Sequence, residues 1–319
     1  MNSDVTSPPS TTSTSSFPMR IRPPSGTRAA WDFERFAERR EKNTISIALR
    51  NGKAILVMTS PTSPEAAELN AEIAKHGDFV KDIAFEVDQM DRIPDREYTG
   101  VFLPHFKAVD PFGFCSSLPP LPVLNIDHVV ENHEQGTLDS ITRWYEEVFR
   151  MHRFWSVDER VVHTEYSALK AHLVANEEES VQEFLDFHTS PGIQHVAFTV
   201  ENIVEVVAEM KRRSVEFLSF PPAYYANLRD RLRASALQVE EEMEAIEREG
   251  ILMDFDEGGY LLQIFTKPVQ SRPTFFIEII QRHNFKGFGA GNFKALFEAV
   301  ELEQKKRGTL DVDEPAASE

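Results

Sequence analysis

Residues 192–213 read GIQHVAFTVENIVEVVAEMKRR and contain the transition that decides the fold. Residues 194–200 form a mostly apolar run of strand length that contains one histidine, His195. Directly afterwards, over residues 203–213, apolar side chains recur at helical spacing. A buried strand followed at once by an amphipathic helix predicts a βα unit that carries a histidine in its strand.

The same arrangement is predicted upstream, and further strands follow each helix. Residues 126–130 are predicted to form a strand with His128 inside it, and residues 138–149 an amphipathic helix. The remaining predicted elements are strands at 154–157, 163–167, 171–175, 260–266 and 274–281 and a long helix at 225–248. A strand, a helix and then several strands, twice over, predict an α+β fold of repeated βαβββ units rather than a doubly wound parallel sheet.

The first third of the chain predicts a shorter set of similar elements. Strands are expected at 45–50 and 54–59, joined by a turn at Asn51-Gly52, followed by a helix at 63–76 and a strand at 82–87. Residues 53–57 resemble residues 170–174, and residues 82–87 resemble residues 195–200, in the same order. In this internal repeat, Asp82 stands where the second copy has His195, so a metal site is expected in the second copy alone.

Composition divides the chain into four predicted segments. Residues 1–26 are rich in Ser, Thr and Pro and are predicted to be a disordered tail, with a transit peptide as the alternative. A proline-rich, aromatic connector at 94–122 separates a partial N-terminal domain, 27–116, from a catalytic domain, 117–310. Residues 311–319 are predicted to be an acidic tail.

The charge and the cysteine content exclude several classes of function. A formal net charge of −18 repels phosphate backbones, so nucleic acid is not expected as a partner. The glutamate-rich run 239–249 is interpreted as solvated surface. The single cysteine, Cys115, excludes an intramolecular disulfide and fits a cytoplasmic location. No apolar run reaches the ~18 residues that a membrane span needs.

Three polar residues inside strongly apolar strands are the candidate metal ligands: His128, His195 and Glu278. A buried carboxylate is costly unless a partner compensates its charge. Two imidazoles and one carboxylate are the usual protein ligands of Fe(II) in oxygenases, whereas a structural zinc site would use four ligands, commonly cysteines. Hydrogen-bonded core residues are the alternative, and sequence spacing alone leaves both interpretations open.

A resemblance to a known family favours the metal site. Its motifs lie at 126–130 (IDHVV), 152–158 (HRFWSVD), 163–167 (HTEYS), 192–195 (GIQH), 216–219 (EFLS), 259–269 (GYLLQIFTKPV), 279–282 (IIQR) and 287–293 (GFGAGNF). Together they resemble the C-terminal domain of the 4-hydroxyphenylpyruvate dioxygenase family, and residues 43–90 resemble a piece of its N-terminal domain. The resemblance implies a vicinal-oxygen-chelate fold, an open barrel of βαβββ units around the metal.

The same resemblance implies an activity and the partners for it. It implies that His128, His195 and Glu278 bind Fe(II), and that 4-hydroxyphenylpyruvate and O₂ are converted to homogentisate and CO₂ in tyrosine catabolism. It also implies a homo-oligomer, with a homodimer as the predicted state.

Further positions match the substrate pocket of that family. Gln263, Phe265 and Phe276 match residues that orient and sandwich the substrate, with plain core packing as the alternative for both phenylalanines. Gln194 is expected on the opposite face of its strand from His195, as a residue that supports the ligand. The remaining matches to the pocket and to the C-terminal helix that closes it are Ser167, Phe288, Asn292, Phe293 and Phe297.

The sequence departs from the family in two places. The segment between Glu179 and Phe184 is shorter, and Ser180 falls where the family has a substrate-binding glutamine. The N-terminal domain lacks a first strand and helix and several later elements. These departures leave open the alternative of a non-catalytic homologue that keeps the metal site. A second alternative is a hydroxymandelate synthase, which the resemblance also allows because such enzymes have the same fold, iron and substrate.

Overall fold

The computed structural model describes residues 16–18, 31–85, 100–109, 118–152 and 179–309. Cys115, Ser167 and the strands predicted between 154 and 175 lie outside the described residues. Of the predicted disordered tail, only Ser16–Pro18 is described, as a short strand. The predicted acidic tail also lies outside.

The first half of the chain forms a five-stranded sheet in the order β1-β4-β3-β2-β5. The central β3–β4 hairpin is confirmed as predicted, with Gly52 at φ 56° in its turn. Asn51 in that turn accepts a hydrogen bond from the Val123 amide and donates one to the Leu121 carbonyl, which ties the hairpin to the second half. The elements are β1 (Ser16–Pro18), β2 (Glu34–Arg40), β3 (Thr44–Asn51), β4 (Ala54–Pro61), α1 (Ala67–His76) and β5 (Lys107–Ala108).

Two predictions for this half were wrong in detail, and β2 was not predicted. The helix expected from residue 63 begins at Ala67, because the Ser63 hydroxyl accepts from the Glu65 amide and its carbonyl from the Ala66 amide, closing a turn. The strand expected at 82–87 is not formed at residues 81–85, which are irregular, and residues 86–87 lie outside the described part.

The second half contains the strands β6 (Asn125–Asn132), β7 (Gly192–Thr199), β8 (Leu252–Phe255), β9 (Tyr260–Phe265) and β10 (Phe276–His283). The helices of this half are α2 (Leu138–Phe149), α3 (Glu179–His188), α4 (Ile203–Arg212), α5 (Pro222–Arg233), α6 (Met243–Arg248) and α7 (Ala290–Arg307). The strands form a five-stranded sheet in the order β6-β7-β10-β9-β8, in which β10 is parallel to β7 and the other pairs are antiparallel. The run β7-α4-β8-β9-β10, with two further helices after α4, is a βαβββ unit, as predicted.

The long helix predicted at 225–248 was wrong, because α5 and α6 are separated by residues 234–242. In this break the Glu240 amide donates to the Tyr260 hydroxyl, which in turn donates to Glu241. Glu241 also accepts a hydrogen bond from Gln281, and its side chain is only 13% exposed. Tertiary hydrogen bonds therefore override helix propensity here, and the glutamate-rich run is not wholly solvated surface.

The two faces of the second sheet have different partners. One face contributes Val196, Phe198 and Ile277 to a large apolar core that the first half also enters. Phe198 lies at its centre, with ring centroids 6.4 Å from Trp31 and 5.7 Å from Phe33. The opposite face carries the polar side chains and is covered by α7, which packs against β8. The sheet thus separates an apolar packing face from a polar face.

None of the helices in the described part of the chain is long and apolar enough to cross a bilayer.

Candidate metal centre

The three predicted ligands lie on neighbouring strands and converge on the polar face of the second sheet. His128 is on β6, His195 on β7 and Glu278 on β10. Glu278 Oε2 is 3.1 Å from His128 Nε2 and 3.3 Å from His195 Nε2. One potential ligand atom from each of the three residues lies within 4.8 Å of the others. Residues far apart in sequence are thus brought within reach of a single metal ion.

The centre is shielded from solvent, and this burial shapes its charges. Glu278 is 2% exposed and His195 is 6% exposed. Burial acts to raise the pKa of Glu278, but the two imidazoles hold this pKa below its usual value. Burial acts to lower the pKa of His128, but Glu278 and Asp127 outweigh it and raise the pKa to about 9. Burial lowers the pKa of His195. The neighbouring imidazoles thus favour the ionised form of Glu278, and a metal ion bound between the three side chains would also stabilise this charge.

Two β-bulges aim side chains at this centre. On β6, Ile126 pairs with Phe198 and His128 with Ala197, so that Asp127 is the extra residue. On β7, the register steps from His195 to Ile193, and Gln194 is skipped. A bulge interrupts strict alternation and re-aims side chains, often beside functional sites. The expectation that Gln194 points to the face opposite His195 was therefore wrong, because it rested on unbroken alternation.

Each bulged residue contacts the histidine that follows it. Asp127 Oδ1 accepts from His128 Nδ1 at 2.8 Å, and Gln194 Oε1 accepts from His195 Nδ1 at 2.9 Å. A hydrogen bond at Nδ1 fixes the ring orientation and presents Nε2 as the ligand atom. Both Nε2 atoms face Glu278, as a shared metal ion requires.

Aromatic rings enclose the centre on several sides. Phe276 stacks on His195 with centroids 4.7 Å apart and planes 23° apart, and Phe265 lies 6.1 Å from both rings. Phe288 meets His128 edge-on at 5.3 Å. All three phenylalanines line a cavity that reaches the metal ligands. Such a cavity suits a ligand with a polar end at the metal and an aromatic ring between these side chains.

The helix α7 closes one side of the cavity. Phe293 and Phe297 lie on this helix and line the cavity, as their predicted role requires. The helix starts after Gly289, whose φ of 74° favours glycine. A side chain at this position would also collide with the amide of Gln263. The start of α7 and Gln263 are thus in close contact.

Gln263 and Asn292 are fully buried beside the cavity rather than in its wall. Gln263 is 1% exposed, and both its amide atoms lack a hydrogen-bond partner among the described residues. Asn292 is also buried, and its Oδ1 accepts from the Tyr224 hydroxyl at 2.7 Å. An unpartnered buried amide costs free energy, which is recovered if a ligand or water bonds to it.

The shortened segment near Ser180 forms part of α3 at the cavity rim. Val181 and Phe184 from this helix line the cavity. Glu183 is 7% exposed and accepts hydrogen bonds from Arg307 at 2.8 and 3.0 Å, which joins α3 to the last turn of α7. The departure from the family therefore lies where two helices meet over the cavity.

Of the residues that support the ligands, the sequence predicted Gln194 but not Asp127 or Arg282. Asp127 directly precedes His128, as Gln194 precedes His195. Arg282 belongs to a motif that matches the family, and it binds Asp127 through two hydrogen bonds. The signal available in the sequence for Asp127 is a polar residue directly before a candidate histidine ligand.

Comparisons with known proteins place this geometry in a family. Residues 126–264 match the model of the Glyoxalase/Bleomycin resistance protein/Dioxygenase superfamily. A protein of Caenorhabditis elegans whose name states no activity is 41% identical, over 88% of this chain and 93% of its own length. The 4-hydroxyphenylpyruvate dioxygenase of Caenorhabditis elegans is 39% identical over 89% of each chain.

A solved structure is also similar over most of both chains. It is a triple mutant of the 4-hydroxymandelate synthase of Streptomyces coelicolor, with a TM-score of 0.71 and 28% identity over 91% of this chain and 97% of its own. The vicinal-oxygen-chelate fold expected from the sequence is confirmed by the superfamily match and by this similarity. With its relatives similar over nearly their whole length, this chain belongs to the 4-hydroxyphenylpyruvate dioxygenase family.

Proposed function

We propose that this chain is an Fe(II)-dependent dioxygenase that converts 4-hydroxyphenylpyruvate and O₂ into homogentisate and CO₂. The observation that carries the proposal is the donor set of His128, His195 and Glu278 at one end of a cavity walled by phenylalanines. The substrate is inferred from the family to which the chain belongs. The cavity suits this substrate, because metal ligands lie at one end and aromatic rings line its walls.

The donor set fits Fe(II). Two neutral imidazole nitrogens and one carboxylate oxygen leave positions open for substrate and O₂ on a six-coordinate ion. The buried Glu278 carboxylate, with only imidazoles as charge partners, is the kind of group that a divalent cation stabilises. Bound Fe(II) would supply the redox chemistry that activates O₂. Burial acts to lower the pKa of His128, but Glu278 and Asp127 raise it to about 9, so a metal ion at Nε2 would compete with a proton there.

The chain's own contribution is to bind and orient the substrate and to exclude water. Phe265 and Phe276 are proposed to contact the aromatic ring of the substrate, because both line the cavity that reaches the metal ligands. Phe288 and the phenylalanines of α7 would keep water from the reacting centre once the substrate is bound. Gln263 is proposed as a hydrogen-bond partner of the substrate, which the unpartnered state of its buried amide supports.

Ser167, the homodimer and the cytoplasmic location remain predictions. Ser167 lies outside the described residues. The dimer rests on the resemblance to the family, and the location on the single cysteine.

The decisive experiment measures turnover together with metal binding. The chain is purified without oxygen, loaded with Fe(II) and given 4-hydroxyphenylpyruvate, while O₂ uptake is followed and products are separated by chromatography. We expect uptake with homogentisate as the product, and its complete loss in Glu278→Ala. Glu244→Ala is the matched control, because Glu244 is 79% exposed and lies far from the ligands in sequence.

A second candidate is a 4-hydroxymandelate synthase, which would hydroxylate the side chain of the same substrate. The solved structure to which this chain is similar is a triple mutant of an enzyme with that name. Homogentisate and 4-hydroxymandelate are isomers, so mass alone does not separate them and chromatography against both standards is required. 4-Hydroxymandelate as the main product would favour this candidate. No uptake by folded protein that still binds Fe(II) would favour the non-catalytic homologue.

A further inference from the structure

Arg282 bridges two parts of the site that are distant in sequence. It lies on β10, four residues after Glu278, and its side chain is 20% exposed. Its Nε donates to Asp127 Oδ2 and its Nη2 to Asp127 Oδ1, both at 2.8 Å. This two-point geometry fixes the carboxylate in direction as well as in distance.

Asp127 also contacts the metal ligand His128, so its fixed orientation determines that of the ligand. The oxygen that accepts from Arg282 Nη2 also accepts from His128 Nδ1 at 2.8 Å. The other oxygen accepts from the Thr199 hydroxyl at 3.2 Å as well as from Arg282. With both oxygens held, the carboxylate has one orientation, and the His128 ring takes its plane from it.

The remaining arm of Arg282 holds the loop over the cavity. Its Nη1 donates to the carbonyls of Phe285 and Gly287, at 3.1 and 2.5 Å. The next residue is Phe288, whose ring centroid lies 5.7 Å from the Arg282 guanidinium carbon and 5.3 Å from the His128 ring. Phe288 lines the cavity, and the residue after it begins the turn into α7.

We propose that Asp127 and Arg282 are positioning residues that couple the orientation of His128 to the closure of the loop 284–289 over the cavity. A metal ion bound at His128 would hold the imidazole ring in one orientation. Through their hydrogen bonds, the ring would hold Asp127 and Arg282 in place, and Arg282 would hold the carbonyls of Phe285 and Gly287. Coupling between two sites is reciprocal, so a loop held in place also strengthens metal binding. The inference rests on the metal site of the proposed function but not on the identity of the product.

The alternative is an ion pair that only stabilises the fold. In that case, its loss would lower the stability of the whole protein without linking metal to loop. A buried ion pair of this structural kind occurs between Glu209 on α4 and Arg213, the residue directly after this helix, at 2.8 Å with both side chains 6% exposed. Arg213→Lys is therefore the matched control for Arg282→Lys.

The first test needs no variant. Hydrogen exchange of the backbone amides in residues 285–291 is measured on the full chain with and without Co(II), a redox-stable probe for the Fe(II) site. We expect slower exchange in this segment when Co(II) is bound. Unchanged exchange in a chain that binds Co(II) would overturn the coupling and leave the proposed function standing, whereas failure to bind Co(II) at all would overturn both.

The second test disrupts the contacts that Arg282 makes with Asp127 and with the two loop carbonyls. In Arg282→Lys, one ammonium group cannot satisfy the carboxylate and both carbonyls, so the Kd for Co(II) should rise about 10–100-fold, as for other supporting partners of metal ligands. Cobalt-dependent protection of residues 285–291 should disappear, and the visible Co(II) spectrum should shift. Arg213→Lys should keep the Kd, the spectrum and the protection. Wild-type Kd and protection in Arg282→Lys would contradict the proposal.

Asp127→Asn tests the same link from the other end. Asparagine keeps the size of the side chain and one acceptor oxygen but loses the charge that holds Arg282. We expect a weaker Co(II) affinity together with loss of protection in the loop, although no residue of the loop has been changed. Retention of loop protection in this variant would show that Arg282 acts on the loop alone and would overturn the coupling.

Discussion

The two sheets of this chain both have five strands, but they bury different side chains. In β2 to β5 of the first sheet, Ser46 is the one buried polar residue, and its hydroxyl pairs with that of Thr59 at 2.9 Å. The second sheet buries Asn132, His195, Asp254, Gln263, Glu278 and Gln281. A five-stranded sheet therefore does not by itself create a metal site. The site arises where three strands place polar residues on one face.

The two copies of the internal repeat differ in sequence in the same way as the two sheets, because only the second copy has a metal ligand. His195 stands on a strand, next to a bulge and opposite Glu278. Asp82, its counterpart, is exposed in an irregular segment. The first half contributes Trp31 and Phe33 to the core beneath Phe198 instead. Leu49 and Leu56 on strands of the first sheet belong to the same core, so within the described residues the first half packs against the back of the second sheet.

The largest effect, on Fe(II) binding, is expected when His195 in the second copy of the internal repeat is replaced by the aspartate of the first copy. His195→Asp removes an imidazole ligand and places a second carboxylate beside Glu278, where like charges disfavour ionisation. Fe(II) binding should fall by more than the ~10–100-fold typical of losing a supporting residue, and O₂ uptake should vanish. Metal content per chain and an oxygen electrode measure this.

His152→Asp is the control for that exchange, because His152 is exposed and is not part of the cluster. It should retain both the metal and the activity. Wild-type iron content in His195→Asp would show that the triad is not the binding site.

The sequence and its resemblance to the family predicted the three candidate ligands and the supporting role of Gln194, but not the roles of Asp127 and Arg282. His195 and Glu278 were predictable because polar residues in apolar strands require partners. The link from Asp127 to Arg282 was not, because it joins residues 155 positions apart through a bulge that no local pattern indicates. Likewise, the break between α5 and α6 depends on Tyr260 and Gln281, which lie beyond the helix in sequence. Local periodicity predicts elements, whereas tertiary hydrogen bonds set where they stop.

An intermediate effect, on the free energy of unfolding, is expected when the apolar contact between the two halves of the chain is removed. Phe198 is fully buried against Trp31 and Phe33, so Phe198→Ala should lower the free energy of unfolding by about 3–5 kcal/mol. A double-mutant cycle with Phe33→Ala should give a coupling energy of about 0.5–1.5 kcal/mol, the range for an aromatic pair. Urea denaturation of the three variants and the wild type provides all four corners.

This double-mutant cycle measures how strongly the first half stabilises the second half by packing against it, which is the role that distinguishes the first half from the metal-binding half. Phe102→Ala is the control partner, since Phe102 packs against Phe36 and Phe106 within the first half. It should destabilise the chain additively with Phe198→Ala. A coupling energy of zero between Phe33 and Phe198 would mean that the halves fold independently of this contact.

The smallest effect is expected when the first copy is made to resemble the second. Asp82→His restores the histidine of the repeat, but Asp82 is exposed and lies outside the one cluster of possible ligands among the described residues. The metal content should stay at the wild-type value, and the free energy of unfolding should change by no more than about 0.5 kcal/mol. Titration with Co(II), followed by its visible absorption, measures the stoichiometry. A second equivalent bound with similar affinity would mean that a histidine at the repeat position is enough. We expect none, because the second copy also supplies a strand, a bulged neighbour that holds Nδ1 and a buried carboxylate facing Nε2.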